Sequence, residues 1–250
     1  LAMVQYLRIA STSTTNPVDM FTLGVSTARG VDGKIGQFGS GSLMSTLLWL
    51  RKHGVSPVYV INGVLVEFIV RQEHTSTGTT FNRVYQVVDG VETPLSVCLE
   101  YGENEWVETH MALREWICNA LDQGETIHNV AKLVDAIDVN AVDTVAVYVP
   151  CNAEVRRYFK TIGDYFLHVT YRQDMVCIQK SEPTPCKLYR KGVYVRTLEN
   201  VNSLFDYNLS DLDVSECRTG GSDSMTSKIK DVLDGSTTCE QTYFAVIFRA

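Results

Sequence analysis

The sequence predicts an α/β protein of two layers, helices packed on a sheet. Two kinds of observation predict it. Two segments carry helical apolar rhythm, about Ser42–His53 and 109–122. Between them lie four β-rich runs, two pairs of which are joined by Asn62-Gly63 and Asp89-Gly90. Asn-Gly and Asp-Gly between β-rich runs are the strongest short-range hairpin signals. At 250 residues, with 45% apolar and 20% charged residues, the chain has the composition of an ordinary globular protein with a sizeable core.

Taken in order, residues 3–10 alternate loosely through Val4, Tyr6, Leu7 and Ile9, which predicts a first strand. Ser11 to Asn16, closed by Pro17, reads as loop, and Asp19-Met20-Phe21 as the start of a short helical turn. The stretch Lys34-Ile35-Gly36-Gln37-Phe38-Gly39-Ser40-Gly41 sets three glycines ahead of the first helix. Glycine lets a ligand approach the main chain closely, and the first turn of a helix offers unpaired N–H groups to an anion. The spacing is neither Gly-Lys-Ser/Thr nor G-x-G-x-x-G, so alone it reads equally as a turn feeding a core helix. That helix is apolar on most sides, hence buried, and Gly54 is its stop. Strands follow at 57–61, 64–70, 81–88 and 93–100, antiparallel in series. The second helix carries Leu113, Trp116, Ile117, Ala120 and Leu121 on its apolar side. Glu115 and Asn119 stack on a polar side, with Asp122 one turn on. A carboxylate beside a carboxamide suits a water-activating base next to a Mg²⁺ or phosphate ligand; a polar surface stripe is the plainer reading. Val130–Ile137 is a short amphipathic segment, 144–149 a strand halted by Pro150, and Asn152–Phe166 a helix with Val155, Phe159, Ile162 and Phe166 inward. Ser181–Pro185 reads as a linker-like break, and 187–196 as one or two strands.

Composition excludes several classes. A formal charge of −7, with no run of basic residues, argues against nucleic acid. Seven cysteines without a C-x-x-C pair argue against zinc and a redox dithiol, and predict free thiols in a cytoplasmic protein. No stretch reaches the ~20 apolar residues of a membrane span. Leu1-Ala2 before Met3 reads as a tag remnant. The strand-like 243–249 reads as cut off, so the native chain is expected to continue past Ala250.

Together the two helical motifs resemble the GHKL ATPase superfamily of gyrase, heat-shock chaperone, histidine kinase and mismatch-repair ATPases. Glu115-x-x-x-Asn119-x-x-Asp122 is similar to its N-box, and Ile35-Gly36-Gln37-Phe38-Gly39-x-Gly41 to its lid glycine box, most closely that of heat-shock chaperones. Phe21 to Arg29 resembles the start of the ATP lid. The order is reversed relative to the family, as in a circular permutation, and the arrangement resembles GHKL-like proteins of bacteriophages. The resemblance implies a permuted, two-layer Bergerat-type ATP-binding domain, a mixed sheet under helices, over residues 1–180. Residues 181–250 would begin a second α/β region, similar to the middle domain of heat-shock chaperones. It implies Mg²⁺-dependent ATP binding with slow hydrolysis, driving conformational change or homodimer closure on a protein partner. Glu115 would be the base, Asn119 the Mg²⁺ ligand, and Arg218 or Arg196 a γ-phosphate sensor. Lys34, Gly36, Gln37, Phe38, Gly39, Ser40, Gly41, Asn119 and Asp122 would contact the nucleotide. Counting back from Leu23-Gly24 places Ala10 where the family has its adenine-reading Asp. The alternative is therefore a scaffold or interaction protein that kept the fold and lost the nucleotide.

Overall fold

The structure, a computed structural model, describes residues 4–12, 17–21, 35, 40–140, 144–212, 214 and 227–229. The chain divides into two compact units, Leu1–Thr161 and Ile162–Ala250. It is α/β, with one large antiparallel sheet and few helices.

The first unit is built on a seven-stranded sheet. In chain order its strands are β1 (Tyr6–Thr12), β2 (Val58–Ile61), β3 (Val64–His74), β4 (Thr80–Val88), β5 (Val91–Cys98), β6 (Ala131–Val134) and β7 (Thr144–Pro150). In space the order is β5-β4-β3-β2-β7-β1-β6. Asn62-Gly63 turns β2 into β3 and Asp89-Gly90 turns β4 into β5, all four residues at positive φ, which matches the twist of the flanking strands. The expected mixed sheet is corrected: every pairing is antiparallel. Short turns, two residues at β2–β3 and β4–β5 and five at β3–β4, force that in the meander, and β7 enters between β2 and β1 opposed to both.

Because side chains alternate across a strand, register decides which residues meet the helices. Ile9, Val147 and Tyr59 lie in register across β1, β7 and β2. Their side carries the helices α2 (Gly41–His53) and α3 (Thr109–Leu121). Tyr59 fixes both: its hydroxyl lies 2.7 Å from Thr46 Oγ1 and accepts Trp116 Nε1–H at 2.7 Å. Phe21, which follows the short α1 (Pro17–Met20), packs edge-on against Tyr59 and Phe68 on this face. The helices run antiparallel, since Ser42 meets Asn119 at one end and His53 meets Thr109 at the other. The other sheet face holds Ala10, Val60, Ala146 and Tyr148, packed with Tyr6, Val58, Leu65, Val134 and Ile137.

Three local expectations are corrected. Val130–Ile137 is the end of a helical turn, α4 (Ile127–Val130), followed by β6, whose Ala131 and Leu133 are claimed by β1. The helix at Asn152 is α5 (Ala153–Lys160); Asn152 caps it by accepting Val155 N–H, and the chain tightens into a 3₁₀ turn at Ile162–Asp164. Phe166 therefore lies outside it. Ser181–Pro185 is no break: it runs inside β8 (Cys177–Arg190), in the second unit, where the pairing with β9 (Val193–Asn208) slips around Thr184 and Pro185. A bulged ladder tolerates a residue without an N–H. Beyond that slip Leu188 pairs with Arg196 on one side and Tyr207 on the other, over a core of Cys186, Leu188, Val195, Leu198 and Tyr207.

Candidate functional site

The glycine-rich stretch meets α3 at the start of α2. Met44 N–H donates to Ser40 O at 2.9 Å, the first α-helical bond, so the N–H groups of Gly41, Ser42 and Leu43 have no acceptor within the helix. The first turn of α2 carries no acidic residue of its own. Ser40 makes no side-chain cap, and its buried Oγ has no hydrogen-bond partner among the described residues. The electropositive end is met instead by α3.

Glu115, Asn119 and Asp122 form one stripe along α3, as their spacing predicts. The stripe is not a solvated surface. Ten of the thirteen α3 residues are buried, and Glu115 retains 6% exposure. A Cβ added to Gly41 would stand 3.2 Å from Glu115 Oε2 and 3.6 Å from Asn119 Nδ2, so any side chain here presses on the Glu115 carboxylate. Asn119 Nδ2 donates to Ser42 Oγ at 3.3 Å, a bond that uses the nitrogen and not the carboxamide oxygen. Asp122 Oδ1 accepts Ile35 N–H at 2.6 Å. The structure thus brings Ile35, Ser40, Gly41, Ser42, Glu115, Asn119 and Asp122 to one edge. Lys34, Gly36, Gln37, Phe38, Gly39 and Arg218 lie outside the described residues, as do residues 22–29 of the stretch from Phe21 to Arg29 compared with the ATP lid. Arg196 is on β9, in the second unit.

Sequence reasoning missed two members. Ser42 was not distinguished from its neighbours, although a polar side chain in the first turn of an otherwise apolar helix is the signal it offers. Arg114 is 1% exposed, with Nε 3.7 Å from Glu115 Oε1. Its signal was a charge placed next to the apolar seam of an otherwise buried helix; buried charges are kept only when paired.

Ala10 needs a correction. Its register with Ala146 and Val60 puts it on the sheet face away from α2 and α3, 7% exposed in an apolar cluster. It cannot contribute to base recognition beside Glu115, whatever residue stands there.

No group of three or more His, Cys, Asp or Glu side chains able to hold a metal ion occurs among the described residues. Among the described residues no disulfide joins Cys98, Cys118, Cys151, Cys177 and Cys186 to one another, and no described helix is long and apolar enough to cross a membrane. Comparison with family profiles, with curated proteins and with solved structures finds no match for this chain.

Proposed function

We propose that the first unit binds a nucleoside triphosphate, ATP in the first instance, with Mg²⁺ and hydrolyses it slowly. The observation that carries this is the closeness of Gly41 to Glu115 and Asn119 at a helix N-terminus. The reading gives Glu115 the role of base, Asn119 that of metal ligand and the first-turn N–H groups of α2 that of phosphate donors; Ser40 Oγ, buried and without a hydrogen-bond partner among the described residues, supports it. The donor set fits the phosphate end of such a ligand. Main-chain N–H groups of Gly41, Ser42 and Leu43 would hold phosphate oxygens. Mg²⁺ is commonly held by one or two protein oxygens plus substrate phosphates, a role for the Asn119 carboxamide oxygen. The metal would supply charge neutralisation at the phosphates. Glu115, nearly out of solvent, would take the proton of the attacking water. Slow turnover of this kind serves a conformational cycle, so the reading includes a protein partner and closure between two copies of the chain.

A second reading has its own observation. Asn119 and Asp122 already hold Ser42 and Ile35, so the stripe also works as a purely structural fastening in a scaffold without nucleotide.

Calorimetric titration of Mg·ATP with a phosphate-release assay separates the two. Glu115→Gln should keep binding within about threefold and lower turnover by about a hundredfold or more, since the amide cannot accept the proton. Asn119→Ala should lose the Mg²⁺-dependent part of binding. No heat and no turnover in the wild type at millimolar Mg·ATP would overturn the proposal and leave the scaffold.

A further inference from the structure

The ends of α2 and α3 away from the candidate site converge on His53, the last residue of α2. Its ring lies against Trp49, with centroids 4.2 Å apart. Its Nε2 is 3.0 Å from Thr109 Oγ1, in the first turn of α3, and its Nδ1 is 3.3 Å from Nδ2 of Asn152, the residue that caps α5. Three helices are thus joined through the two nitrogens of one ring. The polarity of these bonds follows from the cap. Val155 N–H can only donate, so the Asn152 carboxamide turns its oxygen to it, at 2.9 Å, and its nitrogen is left facing His53. A carboxamide nitrogen is a donor, so Nδ1 must accept, and the ring proton of neutral His53 sits on Nε2 and is donated to Thr109. His53 and Thr109 are therefore not a base beside a nucleophile, because the nitrogen that would take the hydroxyl proton already carries one.

The charged form of His53 cannot keep this arrangement. Imidazolium carries a proton on both nitrogens, which sets Nδ1–H against the N–H of Asn152. The carboxamide can answer only by turning over. It then offers its oxygen to His53 and its nitrogen to Val155 N–H, and α5 loses its cap. A bond from a charged donor is roughly twice as strong as a neutral one, so the exchange favours His53.

We propose that His53 and Asn152 form a proton-operated latch on α5, closed while His53 is neutral and opened by its protonation, which exchanges the cap of α5 for a charged bond to α2. The charged and titratable groups on the three helix ends are Lys52 of α2, Glu108 and His110 of α3, and Cys151 and Glu154 at the start of α5. Lys52 Nζ reaches both acids, at 3.2 Å from Glu108 and 3.8 Å from Glu154. Burial holds the pKa of His53 below its ordinary 6.5, with Glu154 opposing the shift and Lys52 adding to it. The latch is therefore closed at neutral pH and opens in acid, as pH falls through the lowered value. The element it releases is the last helix of the first unit, which ends at the boundary of that unit. None of this requires a nucleotide.

Nitrogen-15 NMR of the histidine rings in the full chain, followed with amide hydrogen exchange across a pH series, tests the latch. At neutral pH His53 should be the Nε2–H tautomer. As it titrates, the Val155 amide should lose about fivefold or more of its protection, measured against the unstructured exchange rate at each pH, the scale of one lost N-cap. His53→Gln cannot titrate, and its Val155 protection should no longer follow pH through that window. Asn152→Asp keeps an oxygen for the cap and gives Nδ1–H an acceptor. It should raise the midpoint of His53 by about one pH unit or more and leave Val155 protected throughout. A His53 that carries its proton on Nδ1 at neutral pH overturns the latch, as does one that stays neutral until the unit unfolds. Val155 protection that is unchanged while His53 titrates, or lost equally in His53→Gln, also overturns it. The wild-type tautomer and titration decide the matter even if the glutamine variant does not fold.

Discussion

His110, at the start of α3, is pushed down to a pKa of about 4, by burial first and then by the neighbouring Arg114 cation; Glu108 opposes the shift, Lys52 adds to it slightly and Glu154 opposes it slightly. The sign of the stability effect follows. Between its ordinary value near 6.5 and about 4 the unfolded chain binds a proton that the folded chain refuses, so stability is fully present above pH 6.5 and falls as pH drops through that window. The loss should be on the order of 2 kcal/mol. Urea midpoints at pH 7 and pH 5 should show it, and His110→Gln should remove most of the difference; an equal slope in the variant would assign the acid sensitivity elsewhere. Ala10 gives a second residue-scale expectation. Ala10→Asp places a carboxylate against Val60, Ala146 and Tyr148 and should cost about 3 kcal/mol, lowering the Tm, without improving base selectivity. The reading of Ala10 as a lost adenine contact came from counting positions along the chain. Position along a strand says nothing about side until the register is known, and the register of β1 is set by β7, far away in sequence.

At the scale of elements, α2 and the meander were legible because their signals are local. Nine consecutive buried residues, Ser42 to Leu50, followed by Gly54 at φ 65 with its N–H on Leu50 O, realise the apolar run and its stop. The polar stripe of α3 was legible as a stripe, but its direction was not. A stripe of Glu, Asn and Asp normally faces water, and here it faces the start of a helix some seventy residues earlier in the chain. Likewise the two prolines near 184 suggested a break, whereas β9 supplies a bulged partner that keeps the segment a strand. Arg51 shows how α2 is tied down at its other end. Its guanidinium donates to the carbonyls of Leu99, Tyr101 and Trp106, at 2.7, 3.1 and 3.0 Å, and so closes the connection between β5 and α3 onto the helix. Arg51→Ala should destabilise the unit by about 2–3 kcal/mol, measurable by denaturant unfolding, and Arg51→Lys should recover little, because an ammonium cannot reproduce the planar fork. Gly41→Val should separate element from site. It forces Glu115 and Asn119 aside, so Mg·ATP affinity should drop by more than the modest loss in Tm predicts.

For the whole molecule, the unit ending at Thr161 has its own sheet, both its covering helices and every described member of the candidate site. Residues 1–161 produced alone should keep a cooperative thermal transition, as followed by circular dichroism; a gradual, non-cooperative melt would show that the unit needs the rest of the chain. The antiparallel order of the sheet also has a consequence in time. β1 pairs along its whole length with β7, Tyr6 opposite Pro150 and Thr12 opposite Thr144, and its other edge is taken by β6. Of the strands of this sheet, the first to leave the ribosome is therefore among the last to find its neighbours. The β2–β5 meander joins strands adjacent in the chain and can close early, whereas Leu7 and Ile9 must wait through the synthesis of nearly the entire unit before they are covered. Folding limited by such distant pairing is slow and leaves an apolar strand open to other chains meanwhile. Pulsed hydrogen exchange during refolding should protect the amides of β3 and β4 first, and those of β1 and β7 together and last.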